Sequence, residues 1–376
     1  MSNNNNNERP KKSPSLPTGR QVGDLGVTPP SVGWEVSNLL RPNIANLKPY
    51  SSARDEFSGS ASVFLDANEN PYDTGYNRYP DPYQQEVKKR IAEIKGVQPN
   101  QIFLGNGSDE PIDLVYRAFA VPTVDNVVIM EPSYGMYTVA ADINDIEIRK
   151  VLLNDEYQIE ASKLLEATDE HTKLIFLCSP NNPTSNSLDR DEMVKVITGF
   201  NGIVIVDEAY IDFAPGTTLL PDLDKYPNLI VLQTFSKAWG LAGIRLGMAF
   251  ASPEIVAVLS RIKYPYNINA LTQQRAMQSL ENVEQKDTWV KTIITERAKL
   301  TEELKQFPFV QKIYPSNANF LLVKMDGARE KFEYLMDSGV IVRDRSKVAL
   351  CEGSLRITVG SPEENTSLIE ILSELS

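Results

Sequence analysis

The sequence has few of the residues that build metal and disulfide sites. Its 376 residues include two cysteines, Cys178 and Cys351, and a single histidine, His171. The cysteines show no paired spacing, which argues against a disulfide framework and against a cysteine-based metal centre. His171 stands in a polar stretch before a predicted strand, so we expect a surface residue there and neither a ligand nor a catalytic base.

The chain also lacks an excess of positive charge and any long apolar run. Its formal net charge is −12 at pH 7, whereas nucleic-acid-binding surfaces are basic. No apolar run approaches the length of a membrane span, and the N-terminus shows no secretory signal. We therefore expect a cytoplasmic protein that binds neither nucleic acid nor membrane. An apolar share of 41% is ordinary for a globular protein.

The first thirty-six residues differ in composition from the rest. A run from Asn3 to Asn7 is followed by lysines and prolines with few apolar residues. Such a segment cannot bury enough surface to offset its ordering entropy, so we predict a disordered tail over 1–36. We place an N-terminal arm at 37–64, a large domain at 65–265 and a small domain at 266–376.

Apolar runs alternate with helical patterns through the predicted large domain. They lie at Val127–Met130, Leu174–Leu177, Ile203–Val206, Leu229–Leu232 and Met248–Phe250. Continuous runs are typical of strands covered on both faces, as in a mostly parallel sheet between two layers of helices. Past Pro265, a long helical stretch and the strand patterns Ala318–Val323 and Ser354–Val359 predict a smaller α+β domain.

The segment Ser236–Gly247 carries the strongest chemical signal. Lys237 follows the run Leu229–Leu232, at the edge where a buried strand ends. Burial and nearby positive charge lower a lysine pKa, and a neutral lysine amine can form a Schiff base with pyridoxal phosphate. Ser236 and Arg245 add a hydroxyl and a guanidinium suited to a phosphate. The alternative is a surface lysine before a glycine-rich helix.

Two other strand ends carry polar side chains. Asn182 lies in an Asn-Pro turn after Leu174–Leu177, where α/β sheets collect ligands. Asp207 closes Ile203–Val206, and a buried carboxylate needs a cation or a donor. A pyridinium nitrogen is such a partner, so we assign Asp207 to keep the cofactor ring protonated as an electron sink. Tyr210 is placed to donate to the ring hydroxyl that Asn182 also contacts.

A glycine-rich turn, Gly105-Asn106-Gly107, precedes another helical pattern. Ser108 predicts an N-cap, and Pro111 is acceptable in the first turn. The glycines let backbone N–H groups approach an anion at the positive end of the helix. No Gly-Lys-Ser/Thr follows, so this is not a Walker loop. We take Ser108 and Asp109 as candidates for cofactor binding.

Strand-end asparagine, aspartate, lysine and arginine in this order resemble the fold-type I pyridoxal-phosphate aminotransferases. Within them, the chain resembles the histidinol-phosphate aminotransferase family from Leu39 to the C-terminus. The phrases that carry this resemblance are Leu47-Lys48-Pro49-Tyr50, Leu65–Pro71, Asn77-Arg78-Tyr79-Pro80, Glu131–Tyr137 and Gly353–Gly360. One departure is Ser185, where the family usually has glycine. If that position needs a positive φ, serine carries a cost.

The resemblance implies a pyridoxal-phosphate enzyme of histidine biosynthesis. It would transfer an amino group between L-histidinol phosphate and 2-oxoglutarate, giving imidazole acetol phosphate and L-glutamate. Lys237, Asp207 and Tyr210 would be its catalytic residues, with Lys237 holding the cofactor and moving a proton as base and then acid. Tyr134 would stack on the cofactor ring.

The resemblance also assigns the substrate-binding residues. Arg356 would bind an acidic group, with Asn182 beside it, and Arg343 with Tyr50 and Arg54 would read a phosphate. Guanidinium groups match carboxylate and phosphate alike, so one site can serve both substrates. Tyr79 would reach the cofactor phosphate of a neighbouring chain, which implies a homodimer with shared active sites.

Three alternatives remain open at this stage. An aromatic aminotransferase and a threonine-phosphate decarboxylase share this fold, and spacing alone does not exclude them. A cofactor-binding regulator without turnover belongs to a different class. Such regulators usually carry an added DNA-binding module, and the extra segment over 1–36 is too short for one.

Overall fold

A computed structural model describes residues 34–50 and 61–375. The disordered tail predicted over 1–36 therefore lies almost wholly outside the described residues, and Arg54 lies outside them too. Within the described ranges, the helices are too short or too polar to cross a membrane.

Seven strands of the described chain form the larger sheet, in the order β1-β7-β6-β5-β4-β2-β3. All of them run in one direction except β7, which is antiparallel to both β1 and β6. The strands are β1 Ile102–Asn106, β2 Asn126–Glu131, β3 Glu147–Leu152, β4 Thr172–Cys178, β5 Ile203–Asp207, β6 Leu229–Thr234 and β7 Leu246–Ala251. Every residue of β5, β6 and β7 is buried, which requires cover on both faces of the sheet.

The five apolar runs of the large domain coincide with β2, β4, β5, β6 and β7, so the predicted mostly parallel sheet is confirmed. Two strands were missed. The edge strand β3 is only partly buried and carries charged residues, so it has no apolar run. The other edge strand, β1, has a short apolar run, Ile102–Leu104, and includes the first two residues of the glycine-rich turn.

Eleven α-helices occur in the described residues. They are α1 Pro42–Ala45, α2 Gln85–Lys95, α3 Asp109–Phe119, α4 Met136–Ile143, α5 Ala161–Glu166, α6 Arg190–Gly199, α7 Pro253–Ile262, α8 Ala270–Leu280, α9 Val283–Leu304, α10 Ala328–Asp337 and α11 Pro362–Ser373. The long helical stretch expected after Pro265 is interrupted between Leu280 and Val283, and so forms α8 and α9.

The smaller sheet has four antiparallel strands in the order β10-β11-β9-β8. These are β8 Val310–Ile313, β9 Phe320–Met325, β10 Arg343–Asp344 and β11 Ser354–Thr358. The two strands predicted for the small domain correspond to β9 and β11. An apolar cluster of its own packs under this sheet, with Leu300, Leu335 and Leu355 fully buried. The domain boundaries placed at 65 and 265 stay predictions.

Strand pairing decides which side chains meet at the sheet edges. In the parallel pair β4–β5, Cys178 lies opposite Asp207, and β6 ends beside them at Thr234. In the antiparallel pair β10–β11, Arg343 lies directly opposite Arg356. The carboxyl ends of β4, β5 and β6 thus form one edge, which is where open α/β sheets bind ligands.

Candidate active site

A cavity of about 730 Å³ lies at this edge of the large sheet. All the predicted site residues of the described chain line it, except Tyr50 and Tyr79. The lining residues from the prediction are Ser108, Asp109, Tyr134, Asn182, Asp207, Tyr210, Ser236, Lys237, Arg245, Arg343 and Arg356. The turns after several separate strands therefore converge on one space large enough for a cofactor and a small substrate.

Asp207 is buried, with 2% of its surface exposed. Its Oδ2 accepts a hydrogen bond from the Tyr137 hydroxyl at 2.7 Å, and its Oδ1 accepts one from the Ala209 N–H at 3.0 Å. Burial raises the pKa of this carboxyl to about 6, against the opposing effect of the two donors. A cationic group in the cavity would favour the ionised form.

Lys237 extends into the cavity, and its Nζ lies 5.4 Å from the centre of the Tyr210 ring. The side chain is exposed to this space, yet the protein atoms around it reduce its solvation. That loss of solvation lowers the pKa of the amine, and the positive charge of Arg356 lowers it further, while Asp207 acts in the opposite direction. The arrangement favours a neutral, nucleophilic amine.

A cradle of backbone and guanidinium forms where β1 meets the turn before β7. The Gly107 N–H donates to the Arg245 carbonyl at 3.0 Å. Arg245 Nη2 in turn lies 3.2 Å from Asp109 Oδ2, and the Tyr134 hydroxyl donates to Asp109 Oδ1 at 3.1 Å. Asp109 therefore orients both a phosphate-binding candidate and the aromatic ring expected to stack on the cofactor.

Gly107 meets two requirements of this cradle. Its φ is +68°, which side-chain-bearing residues rarely adopt, and a Cβ there would lie 2.6 Å from Arg245 Nη2. Ser108 occupies the N-cap position of α3, but in the described structure its side chain caps no backbone N–H of that helix. The predicted N-cap position is confirmed, and Ser108, without a capping hydrogen bond of its side chain, lines the cavity.

A family model described as aminotransferase class I and II matches residues 60–372. The chain belongs to the class I and II aminotransferase family. A histidinol-phosphate aminotransferase of Parabacteroides distasonis is 56% identical over 341 residues, covering 91% of this chain and 99% of that protein. One from Bacteroides fragilis is 57% identical over 340 residues, covering 90% and 99%.

A solved structure shares the fold of this aminotransferase. It is the histidinol-phosphate aminotransferase from Sinorhizobium meliloti in complex with pyridoxal-5'-phosphate, with a TM-score of 0.72 and 23% identity, covering 80% of this chain and 84% of that one. At this identity the likeness shows the fold alone. The resemblance stated from the sequence and the expected fold class are both confirmed.

The cavity of this aminotransferase fits the cofactor that the family uses. A buried carboxylate at Asp207 matches a protonated ring nitrogen, and Lys237 presents an amine of lowered pKa. The absence of a side chain at Gly107 lets the Arg245 guanidinium pack against this turn, and that guanidinium lines the cavity, where it suits a phosphate.

Two predicted residues of this aminotransferase lie away from the cavity of their own chain. Tyr79 is 53% exposed and stacks on Tyr266, with ring centres 4.4 Å apart, in a separate pocket that also contains Arg78. Tyr50 is 73% exposed, near Tyr83. Within one chain neither side chain reaches Lys237, so their roles stay predictions.

The sequence analysis did not identify two residues of the site, Tyr137 and Arg345, although the spacing of each from a predicted site residue indicated it. Tyr137 follows Tyr134 by three residues across the turn that leads into α4. The Tyr137 N–H donates to the Tyr134 carbonyl at 3.3 Å, and the two ring centres lie 5.6 Å apart. Arg345 follows Arg343 by two, which places both on the same face of an extended strand. Arg345 lines the cavity, and Tyr137 holds Asp207 beneath it.

Ser185, which stands where the family usually has glycine, has a backbone conformation that favours glycine. Ser185 has a φ of 68° and is fully buried. Its hydroxyl donates to the Thr184 carbonyl at 2.6 Å, and its own carbonyl accepts from the Asn317 N–H at 2.7 Å. The condition stated for a cost of serine is therefore met, although the turn still presents Asn182 to the cavity.

Proposed function

We propose that this chain transfers an amino group from L-histidinol phosphate to 2-oxoglutarate, giving imidazole acetol phosphate and L-glutamate in histidine biosynthesis. One observation carries the proposal. A single cavity combines the amine of Lys237, whose pKa is lowered, the buried carboxylate of Asp207 and three arginines, Arg343, Arg345 and Arg356, with which no carboxylate of the described residues forms an ion pair. The names of the relatives that match nearly the whole chain support the same reaction.

The cofactor of the site is pyridoxal phosphate, which supplies an electron sink for negative charge on the substrate carbon. Lys237 would hold its carbonyl carbon, Asp207 its ring nitrogen and Tyr134 one face of its ring. Asn182 and Tyr210 would bind the ring hydroxyl. The phosphate would lie against Ser108, Ser236 and Arg245, with Asp109 orienting Arg245.

Proton transfer falls to the Lys237 amine. As a neutral amine it would take a proton from the substrate carbon as general base, and as an ammonium it would give that proton back as general acid. Loss of solvation and the charge of Arg356 lower the pKa of this amine, which makes its neutral form more accessible than that of a free lysine. Asp207, fixed by the Tyr137 hydroxyl and the Ala209 N–H, would supply the negative charge that holds the ring nitrogen protonated.

The arginines hold the two substrates by their anionic groups. Histidinol phosphate has no α-carboxylate, whereas 2-oxoglutarate has no phosphate, so the site must accept different anions at similar places. Arg356, whose Nη1 also donates to Asn182, would bind an anion of either substrate, and Arg343 would bind the phosphate. Planar guanidinium groups form paired hydrogen bonds with both kinds of anion.

The active protein in this proposal is a homodimer. Tyr79 and Tyr50 are large, exposed aromatic side chains outside their own chain's cavity. The exposed Tyr79 ring, stacked on the partly buried Tyr266, suits contact with a second copy of the chain. From there, Tyr79 would reach the cofactor phosphate of the partner subunit.

The direct test uses purified protein reconstituted with pyridoxal phosphate. Glutamate should form from histidinol phosphate and 2-oxoglutarate, and phenylalanine in place of histidinol phosphate should give a much lower specificity constant. Preference for phenylalanine would favour the aromatic aminotransferase. Carbon dioxide released from threonine phosphate without any oxo acid would favour the decarboxylase. Cofactor binding without turnover of any of these substrates would favour the regulator.

A further inference from the structure

Three guanidinium groups face the same end of the active-site cavity. Arg343 and Arg345 are separated by one residue along an extended segment, and the Arg345 N–H donates to the Ser354 carbonyl at 2.9 Å. Arg356 lies opposite Arg343 across the β10–β11 pair. All three arginines line the cavity.

In the part of the chain that the structure describes, this group of arginines has no carboxylate counterion. The neighbouring Asp344 lies on the other face of the strand, where its Oδ2 is 3.5 Å from Arg329 Nη1. Arg245, elsewhere in the cavity, is paired with Asp109. Among the described residues, no carboxylate forms an ion pair with Arg343, Arg345 or Arg356. Like charges directly opposite each other destabilise a strand pair, so the arrangement costs free energy until an anion enters.

Arg345 is the arginine of the three that has a buried donor without a hydrogen-bond partner among the described residues. Its Nε is buried and has no hydrogen-bond partner in the described part of the chain. Burial lowers the pKa of this guanidinium to about 10, with Arg356 and Arg343 adding to the effect, so it remains charged at neutral pH. A buried, charged donor without an acceptor is unfavourable, and a polyvalent anion in the cavity would relieve it.

We propose that Arg345 is a specificity-determining residue that binds the phosphate of the amino donor, together with Arg343. A carboxylate has two oxygens and one charge, which a single fork-shaped guanidinium satisfies. A phosphate carries close to two charges at neutral pH and three strong acceptor oxygens, so it accepts bonds from further guanidiniums. Arg345 therefore discriminates for the phosphorylated substrate. This inference rests on the proposed function.

The test compares Arg345→Gln with Lys347→Gln, which removes the same charge from an exposed residue two positions along that does not line the cavity. With reconstituted enzyme, Arg345→Gln should lower kcat/KM for histidinol phosphate by about 10- to 100-fold, the usual effect of losing a charge-assisted bond. It should lower kcat/KM for 2-oxoglutarate by less than about 3-fold. Arg345→Lys keeps the charge and should recover part of the loss, and Lys347→Gln should change neither constant appreciably.

A second measurement separates this inference from the proposed function. Inorganic phosphate should inhibit the wild-type holoenzyme competitively against the amino donor, and its inhibition constant should rise about 10-fold or more in Arg345→Gln. Wild-type enzyme inactive on histidinol phosphate would refute the proposed function, while phosphate binding to wild-type and Arg345→Gln holoenzyme would still test the anion site.

Three results would overturn the role of Arg345. Equal losses for both substrates, with a lowered Tm, would make Arg345 structural. A weakened affinity for pyridoxal phosphate would place its guanidinium on the cofactor. Losses no larger than those of Lys347→Gln would leave it without a specific role.

Discussion

Arg356 Nη1 donates a hydrogen bond to Asn182 Oδ1 at 2.6 Å. Arg356 belongs to β11 of the small sheet, and Asn182 follows β4 of the large sheet, so this contact joins the two sheets inside the cavity. The arginine expected to bind substrate thereby positions the amide expected to bind the cofactor ring. We therefore expect binding of a substrate anion at Arg356 to affect the cofactor contact at Asn182.

Lys237→Ala should abolish turnover and the visible absorbance of lysine-linked cofactor, because it removes both the covalent attachment and the proton-transferring amine. Absorbance spectra and glutamate formation measure both losses. Lys291→Ala, at an exposed lysine of α9, is the matched control and should behave as wild type. Retained activity in Lys237→Ala would refute the assignment.

Asp207→Asn should lower turnover by at least about 100-fold while leaving most of the cofactor content, because the shape is kept and the negative charge is lost. Cofactor content is read from absorbance after gel filtration. The Tyr137 hydroxyl can turn to accept from the new amide, so folding should survive. Turnover near the wild-type level would make Asp207 structural.

The same substitution should stabilise the apoprotein at alkaline pH. The folded pKa of Asp207, about 6, lies above its usual 3.8, so its contribution to stability is complete below pH 4 and is lost as the pH rises through 6. The rise of the pKa from 3.8 to about 6 corresponds to a loss of about 3 kcal/mol in the free energy of unfolding at pH 8. Urea denaturation should show Asp207→Asn gaining about 1 kcal/mol more over wild type at pH 8 than at pH 5. Burial also raises the pKa of the neighbouring Glu208, to about 7, but this carboxyl titrates in both proteins and its effect cancels in the comparison. A stability advantage of Asp207→Asn that is independent of pH would contradict this account.

Hybrid dimers test the sharing of sites between subunits. Tyr79→Phe and Lys237→Ala should each impair the enzyme, Lys237→Ala far more. A refolded mixture of the two should contain dimers with one intact site, so its activity should exceed the sum of the separate proteins. A mixture that merely adds the two activities would show that Tyr79 serves its own chain or no site.

Arg343→Leu should reduce kcat/KM for histidinol phosphate more than for phenylalanine. Arg343 is exposed, so water can replace part of its contact with the phosphate. We therefore expect kcat/KM for histidinol phosphate to fall by about 10-fold, a small effect for the loss of a charge-assisted hydrogen bond. Steady-state kinetics with both substrates measure the difference. Equal losses would show that Arg343 supports the small sheet, leaving phosphate recognition to Arg345, Tyr50 or Arg54.

At position 185, glycine should give a more stable protein than alanine, the reverse of the usual order. Its φ of 68° strains any residue with a Cβ. Ser185→Ala loses the bond to the Thr184 carbonyl and keeps that strain, whereas Ser185→Gly loses the bond and relieves it. Ser185→Gly should therefore be the more stable variant by about 1 kcal/mol in urea denaturation. An alanine variant of equal or greater stability would show that the turn tolerates a Cβ freely.

The strands of the large sheet and most residues of the cavity could be predicted from the sequence, because both depend on local sequence patterns. A strand buried on both faces must be a continuous apolar run, and this held for β4, β5 and β6. The polar residue that ends such a run lies at the ligand-binding edge, which located Asn182, Asp207 and Lys237. The partly exposed edge strand β3 carries no such run and was missed.

Contacts between distant segments were decided only by tertiary structure. Tyr137 is 70 residues from Asp207, and Arg356 is 174 residues from Asn182, so no local spacing relates either pair. The pairing of β10 with β11 sets Arg343 against Arg356, and the burial of Arg345 follows from the packing around it. The sequence shows that these residues are charged but not that they lie together. The register and packing of the strands bring them into one cavity, because strand pairing depends on the whole set of buried contacts.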